Sequence, residues 1–200
     1  DKYGNVISQT QTIRNWWGSG VVIPGRGFIM NNAMADFSAK AGVRTTQGLA
    51  YGVANAIRPG KTPLSSMSPT IVMKDGKPVL SVGAAGGPRI ITSTLQLIIN
   101  NLDYGMMMDS AVKHPHMCCL TLNQGLELEE GFSPDTIKLL AAKGHIIKNT
   151  TDFGELLVMP NGIRNIDGTF FPGGTSRVDG GGGALTASGT MAIDGLCFID

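Results

Sequence analysis

The glycine pair Gly86 and Gly87 constrains the fold most, because it separates a strand-like segment from a segment with helical periodicity. Before the pair, two short apolar runs flank an Asp75-Gly76 turn, a pattern that predicts a β-hairpin. After the pair, Pro88 is a favoured first helical residue, and apolar residues then recur every three or four positions. The sequence therefore predicts an antiparallel hairpin that leads through a two-glycine turn into a helix.

Other segments extend this pattern of hairpins and helices. Apolar runs over residues 20–23 and 28–32 flank a Pro-Gly-rich turn and predict a second hairpin. A second helix is expected to begin with Ser133 as its cap and Pro134 as its first residue, and to end at Gly144. A shorter helix is expected from Met107 to Lys113. Strands packed on strands with helices outside indicate an α+β layered fold.

Composition excludes several classes of protein. The chain has 200 residues, of which 42% are hydrophobic, enough for a substantial core. The net charge of +1 gives no reason to expect nucleic acid or an anionic membrane as the main partner, and no apolar run is long enough for a membrane span. Residues 114–119 contain His, Met and Cys side chains that suit soft metals, but they form only one cluster, so we expect neither a metal nor another cofactor.

Three groups of residues resemble the small subunit of the γ-glutamyltranspeptidases. They are PLSSMSPT at residues 63–70, GGPRIIT at 86–92, and a series over residues 1–38 that ends in NNAMADFS. The resemblance covers most of residues 1–150. It implies the four-layer αββα sandwich of N-terminal nucleophile hydrolases, with antiparallel sheets, completed by a large subunit. We expect a small-subunit catalytic domain over residues 1–179 and a Gly-rich flexible tail over 180–200.

The beginning of the chain predicts a turn and a strand. Residues 1–5 contain Gly4 and Asn5, which tolerate positive φ, and residues 6–12 are expected to form a strand. A hairpin turn needs a strand on each side, so a strand is expected before residue 1. In the family that strand begins with the nucleophilic threonine, exposed by self-cleavage of a precursor. The resemblance therefore implies a nucleophile upstream of this sequence.

The resemblance also assigns roles to glycine, serine and threonine residues. Gly86 and Gly87 would form the oxyanion hole, whereas the residues alone favour an ordinary strand-to-helix turn. Ser65 and Ser66 would bind the α-carboxylate of the γ-glutamyl donor, although a solvated turn is the simpler interpretation. Thr12 would hydrogen-bond the nucleophile's hydroxyl, although threonine is also simply a good strand residue. A threonine nucleophile can use its own α-amine as the base.

The expected recognition site for the donor's α-ammonium departs from the family pattern. Asp36 matches the family aspartate that pairs with this ammonium, but Arg14 and Ala33 replace the asparagine and glutamine that assist it. Arginine repels an ammonium and alanine offers no acceptor. Arg14 would suit a second carboxylate or would neutralise Asp36, and the neighbouring Trp16 and Trp17 would line an apolar pocket or fill the core.

The resemblance predicts the small chain of an enzyme that cleaves γ-glutamyl amides of the glutathione type. A γ-glutamyl-enzyme intermediate would form and pass its acyl group to water, an amino acid or a peptide. One alternative is a glutaryl or cephalosporin acylase, or an enzyme that processes poly-γ-glutamate, which Arg14 and Ala33 favour. A second alternative is a non-catalytic binding subunit without the threonine. The family implies a periplasmic or extracellular location.

Overall fold

The chain is described by a computed structural model that covers residues 3–45, 49–121, 125–149, 158–177, 182–185 and 191–194. It divides into two compact units. The first unit comprises Asp1–Thr10 and Ser66–Ile199, and the second contains Gln11–Ser65. The division expected from the sequence, at residues 179 and 180, stays a prediction.

The first unit contains all the regular strands of the described part of the chain. These are β1 (Thr70–Lys74), β2 (Lys77–Ala85), β3 (Met117–Cys118), β4 (Leu126–Leu128), β5 (Ile147–Asn149), β6 (Met159–Ile166), β7 (Thr169–Gly173), β8 (Gly182–Leu185) and β9 (Met191–Asp194). The main sheet has the order β1-β2-β6-β7 and is antiparallel throughout. A smaller sheet has the order β3-β4-β5, and its β4–β5 pair is parallel, which the sequence analysis did not anticipate. Strands β8 and β9 pair with each other.

Two Asp-Gly turns fix the hairpins of the main sheet. Asp75 and Gly76 join β1 to β2 with φ angles of 50° and 73°, and Asp167 and Gly168 join β6 to β7 with φ angles of 49° and 86°. Positive φ at both central residues is typical of the tight turns whose twist matches that of the flanking strands. The first hairpin was predicted from the sequence and is confirmed. The second carries the same signal, but the sequence analysis did not recognise it.

The three predicted helices are confirmed. They are α1 (Ile90–Leu102), α2 (Met108–Lys113) and α3 (Pro134–Ala142), and a 3₁₀ helix over Gly87–Arg89 leads into α1. The Ser133 hydroxyl caps α3, because it accepts a hydrogen bond from the Thr136 amide at 3.1 Å. Within the part of the chain that the structure describes, no helix has the length and apolar character needed to cross a bilayer.

Alternation along β2 places the helices on one face of the main sheet. Leu80 and Val82 are buried against Leu97 of α1 and Met108 of α2. The opposite face of β2 meets the beginning of the chain, where the Ser8 hydroxyl donates to the Val82 carbonyl at 3.2 Å. The core of the first unit therefore lies between β2, its neighbours in the sheet, and the first two helices.

Glycines in β6 and β7 allow α2 to lie directly on the sheet. Gly162 and Gly173 are register partners. A Cβ on Gly173 would stand 2.6 Å from the Met108 carbonyl carbon, and one on Gly162 would stand 2.8 Å from the Met108 sulfur. Both distances are shorter than any ordinary contact. At Gly173 the close atoms are backbone atoms, so packing requires glycine there, whereas at Gly162 a Cβ would displace the side-chain ends of Met108 and Val82.

Two predictions about the first 32 residues need correction or qualification. Residues 6–10 lie beside β2 but form no strand, because within the described residues they make side-chain bonds to β2 and have no backbone ladder. Residues 11 and 12 are also irregular. In the second unit, the predicted hairpin over residues 20–32 is present in short form, as a single antiparallel bridge between Val22 and Ile29.

A buried ion pair joins distant parts of the first unit. Arg177 donates through Nε and Nη2 to the two carboxylate oxygens of Glu129, at 2.7 and 2.5 Å, and these side chains are 1% and 0% exposed. The same guanidinium donates to the carbonyls of Val112, at 2.7 Å, and His114, at 3.0 Å. Glu129 also accepts from the His116 amide at 2.7 Å. Buried charges need this degree of pairing, since an unpaired one would be strongly destabilising.

His116 is held neutral beside this pair. Its ring nitrogen Nδ1 lies 2.9 Å from the Ser93 hydroxyl, and the residue is 1% exposed. Burial, followed by the charge of Arg177, lowers the pKa of His116 from 6.5 to about 4; Glu129 opposes this shift and His114 adds to it. The folded protein therefore gains no proton at this site in mildly acidic solution.

We expect Gly173→Ala to lower the free energy of unfolding by about 1–3 kcal/mol, because the new methyl group would overlap the backbone of α2. Thermal unfolding of the purified full-length protein measures the effect. Gly83→Ala is the matched control, since its Cβ would meet only the Thr10 methyl group at 3.4 Å, an ordinary contact. Equal melting temperatures for the two variants would contradict the packing argument.

We expect His116 to make the protein less stable as the pH falls from 6.5 towards 4. In this window the unfolded chain binds a proton at residue 116 that the folded chain does not, so stability decreases by up to about 3 kcal/mol at the lower limit. Urea unfolding at pH 7 and pH 4.5 should show a smaller decrease for His116→Asn than for the parent. His145→Asn alters an exposed histidine and serves as the control. An unchanged pH dependence in His116→Asn would contradict the assignment.

Candidate active site

The turn between β2 and α1 is built by Gly86 and Gly87. Their φ angles are 137° and 59°, in the region that favours glycine over residues with a Cβ. Gly87 opens the 3₁₀ helix that continues into α1. Amides at the start of a helix have no acceptor within the helix, and the helix dipole adds positive potential there. The turn can therefore bind negative charge, as the oxyanion prediction requires.

The structure brings one predicted substrate-binding serine to this turn. The Ser66 hydroxyl donates to the Gly87 carbonyl at 2.7 Å. The Ser66 carbonyl in turn accepts from the Ser68 hydroxyl at 3.0 Å. Ser66 and the glycine pair, 21 residues apart, thus form one local arrangement in the first unit. The neighbouring Ser65 is the last residue of the second unit.

A cluster of three charged residues is joined to the same turn: Arg89, Glu127 and Lys148. Arg89, the last residue of the 3₁₀ helix, donates through Nε and Nη2 to the two carboxylate oxygens of Glu127 at 2.9 and 3.2 Å. Lys148 binds the same carboxylate at 3.1 Å. Burial raises the pKa of Glu127, but the hydrogen bonds from Arg89 and Lys148 outweigh it, so the net pKa is below its usual value. The carboxylate is therefore charged and binds two cations.

This cluster was not predicted from the sequence. Glu127 is 38 residues from Arg89 and 21 from Lys148, so no local spacing connects them. The strands and the 3₁₀ helix that contain these three residues also have no unusual amino-acid composition. Only the fold places these charges together.

In the second unit, Arg14 and Asp36 form an ion pair. Arg14 Nε lies 2.7 Å from Asp36 Oδ1, and the other two guanidinium nitrogens donate to Asn15 Oδ1 at 3.2 Å and to the Ala35 carbonyl at 3.3 Å. Asp36 ends the 3₁₀ helix Ala33–Asp36. The carboxylate expected to bind a substrate ammonium is thus already paired with a cation of the same chain.

Thr12 is tied to the same arginine. Its hydroxyl oxygen accepts from the Arg14 amide at 2.8 Å. A hydroxyl that accepts one hydrogen bond still has its own proton to donate. Arg14 also has a φ of 77°, an uncommon value for a residue with a Cβ, and such strained positions concentrate at functional sites.

Asn55 organises the loop that precedes the predicted serines. Its side chain donates from Nδ2 to the Asp36 carbonyl at 2.7 Å and accepts at Oδ1 from the Leu64 amide at 2.9 Å. The sequence analysis assigned no role to this residue. Nearby, burial and then the charge of Asp36 raise the pKa of the Tyr51 hydroxyl, while Arg14 lowers it. The Asp36 carboxylate therefore influences its surroundings despite its pairing with Arg14.

The remaining candidate residues are two tryptophans and two cysteines, and Cys118 is the register partner of Glu127. Trp16 and Trp17 are 59% and 74% exposed, so they do not fill the core of this chain. Cys118 is buried and Cys119 is exposed, and burial raises the pKa of the Cys118 thiol. Among the described residues, no three side chains of the His, Cys, Asp or Glu type stand close enough together to hold a metal ion.

Comparison with known proteins gives a consistent result. The family model for gamma-glutamyltranspeptidase matches residues 1–181. The glutathione hydrolase proenzyme of Escherichia coli (strain K12) is 47% identical over 165 residues, which cover 81% of this chain and 28% of that protein. The acylase ACY 1 proenzyme of Pseudomonas sp. (strain SE83) is 36% identical over 200 residues, which cover 99% of this chain and 33% of that protein.

A solved structure agrees with these relatives. A mutant of Helicobacter pylori gamma-glutamyltranspeptidase superposes with a TM-score of 0.81 and 40% identity, over 89% of this chain and 96% of that chain. The present chain therefore spans about a third or less of the proenzymes that it matches, but nearly the whole of one chain in a solved member. With the family model matched over residues 1–181, this chain belongs to the gamma-glutamyltranspeptidase family, and its α+β fold is that of the N-terminal nucleophile hydrolases.

Proposed function

We propose that this chain is the small catalytic subunit of an enzyme that cleaves γ-glutamyl amides and transfers the γ-glutamyl group to water or an amine. The observation that carries the proposal is the hydrogen bond from Ser66 to Gly87 at 2.7 Å. It places a residue expected to bind the donor's α-carboxylate beside the turn expected to stabilise the oxyanion. Because a hydroxyl has one proton, Ser66 would turn that proton from the Gly87 carbonyl to the carboxylate when the donor binds. Family membership supports the same chemistry.

The reaction begins with a threonine that lies upstream of residue 1. Its hydroxyl oxygen attacks the γ-carbonyl carbon, and its own α-amine accepts the proton. Negative charge develops on the carbonyl oxygen and is stabilised by the amides of Gly86 and Gly87. The C–N bond then breaks, and the departing amine takes the proton. Water or a second amine attacks the resulting ester, the α-amine accepts its proton, and the ester C–O bond breaks so that the threonine oxygen leaves with that proton as the hydroxyl.

Thr12 assists the nucleophile in this scheme. Because its oxygen already accepts from the Arg14 amide, its hydroxyl proton is directed elsewhere and can be donated to the threonine oxygen. That hydrogen bond would orient the nucleophile before attack. The role is the one implied by the family resemblance.

The proposed partner is the large subunit from the same precursor. An apolar stripe on α1 supports it: Ile91, Leu95 and Leu102 are 57%, 53% and 46% exposed, and the helix carries no charged residue. Helix faces that meet water normally carry charged side chains. The greater length of the related proenzymes provides a chain that could cover this stripe. We also propose a periplasmic or extracellular location, as the family resemblance implies.

An acylase is the second candidate, and the ion pair between Arg14 and Asp36 favours it. A donor ammonium must compete with the guanidinium for the Asp36 carboxylate and is repelled by it. A glutaryl donor has no ammonium and meets no such penalty. The similarity to an acylase proenzyme along nearly the whole chain supports this candidate.

The two candidates are separated by the release of p-nitroaniline from γ-glutamyl and glutaryl anilides. The two substrates differ only in the α-amino group. We expect the full-length, self-cleaved protein to hydrolyse at least one of them. A higher kcat/KM for the γ-glutamyl substrate supports the first candidate, and a higher value for the glutaryl substrate supports the acylase. Release from neither substrate would contradict both and favour a non-catalytic subunit.

We expect Arg14→Asn to shift the preference towards the γ-glutamyl anilide by about tenfold or more, roughly 1.4 kcal/mol. The substitution removes the cation that competes with the donor ammonium for Asp36. The measurement is the ratio of the two kcat/KM values. Arg26→Asn removes an exposed arginine from the same unit and should leave the ratio unchanged. If Arg14→Asn also leaves the ratio unchanged, Arg14 does not govern donor selection.

A further inference from the structure

We propose that Glu127 is a positioning residue that fixes the Gly86-Gly87 turn through Arg89. The inference rests on the proposed function, because it assigns Glu127 to the support of the expected oxyanion site. Glu127 itself touches no reacting atom in this scheme. It sets the position of the helix start from which the two glycine amides project.

The contact between Arg89 and Glu127 has the geometry that best fixes a side chain. Two guanidinium nitrogens, Nε and Nη2, bind the two oxygens of one carboxylate. A bidentate pair of this kind restricts rotation as well as distance. Arg89 is separated from Gly87 by one residue within a single turn of 3₁₀ helix. Holding the guanidinium therefore limits how far the backbone of that turn can move.

Burial strengthens this constraint. The Glu127 side chain is 7% exposed and that of Arg89 is 22% exposed, so solvent screens their attraction only partly. Lys148 binds the same carboxylate from β5, although this lysine is 60% exposed. Glu127 lies on β4, which pairs with β3 and β5. The turn is thereby anchored to the smaller sheet as well as to β2, which precedes it.

Before a donor binds, the turn is held at a second point by Ser66, whose hydroxyl donates to the Gly87 carbonyl. The Ser66 contact fixes the peptide that follows Gly87. The Glu127 contact fixes the side chain of Arg89, two residues later. Oxyanion stabilisation depends on donors that are already in place when charge develops. A displacement of about 1 Å at such a site can reduce the rate about 100-fold. Loss of the Arg89–Glu127 contact should therefore slow the chemical step more than it weakens substrate binding.

The test uses Glu127→Gln in the full-length, self-cleaved protein. Glutamine keeps the volume of glutamate but loses the charge and one acceptor oxygen. We expect kcat on the better anilide substrate to fall about 10- to 100-fold, with KM changed less than about twofold. Rates are expressed per cleaved chain, so incomplete self-cleavage does not count as lost turnover.

Four further variants separate positioning from general destabilisation: Asp109→Asn, Lys148→Met, Arg89→Gln, and the double variant that combines Arg89→Gln with Glu127→Gln. Asp109→Asn removes an exposed ion pair with Lys113 and should leave kcat unchanged. Lys148→Met removes one cation but retains the bidentate contact, so kcat should fall by less than about threefold. The double variant Arg89→Gln with Glu127→Gln should be no slower than the slower single variant, because Glu127 acts only through Arg89.

Hydrogen exchange provides a readout that does not depend on activity. In Glu127→Gln, the amides of residues 86–91, apart from Pro88, which has no amide hydrogen, should exchange faster than in the parent, while those of α3 should exchange at the parental rate. If the parent releases no anilide, the proposed function fails and exchange alone decides the positioning role. Faster exchange over residues 86–91 would then still support it. Unchanged exchange, an unchanged kcat in an active parent, or a rise in KM alone would overturn it.

Discussion

The pairing of two buried carboxylates around β4 is the constraint on which much of the first unit depends. Glu127 and Glu129 are 6% and 2% exposed, and neither could remain charged there without cations. Arg177 forms an ion pair with Glu129 and also donates to carbonyls at the end of α2. Arg89, just before α1, forms an ion pair with Glu127. The carboxylates thus draw together segments that follow β7, α2 and β2. The position of the turn expected to carry out catalysis therefore depends on the position of β4 in the smaller sheet.

Local signals predicted a large part of this fold. The Asp75-Gly76 turn and the Ser133 cap each act within a few residues, so their patterns were sufficient. The strand predicted at residues 6–12 failed because a strand needs a backbone partner, which no pattern within those residues provides. The β6–β7 hairpin was missed, although Asp167-Gly168 carries the same turn signal as Asp75-Gly76.

Some parts of the candidate site were predicted and others were not. The reason is again that a local pattern does not reveal contacts with distant residues. Motifs located the glycines and serines, and the substitutions at Arg14 and Ala33 were visible as departures from the family pattern. Of the two predictions for Arg14, a second carboxylate as partner or neutralisation of Asp36, the second corresponds to the observed pair at 2.7 Å. In contrast, the link between Arg89 and Glu127 could not be predicted, because ion pairs between distant residues depend on tertiary placement.

The proposed division of labour follows the two compact units. The turn and its contacts, Gly86, Gly87, Ser66 and Glu127, belong to the first unit, and the Arg14–Asp36 ion pair belongs to the second. Relatives with acylase and glutathione hydrolase names both align with this chain. Under the proposed function, a change of donor class would follow from altered charge beside Asp36, and the Gly86-Gly87 turn would not need to change.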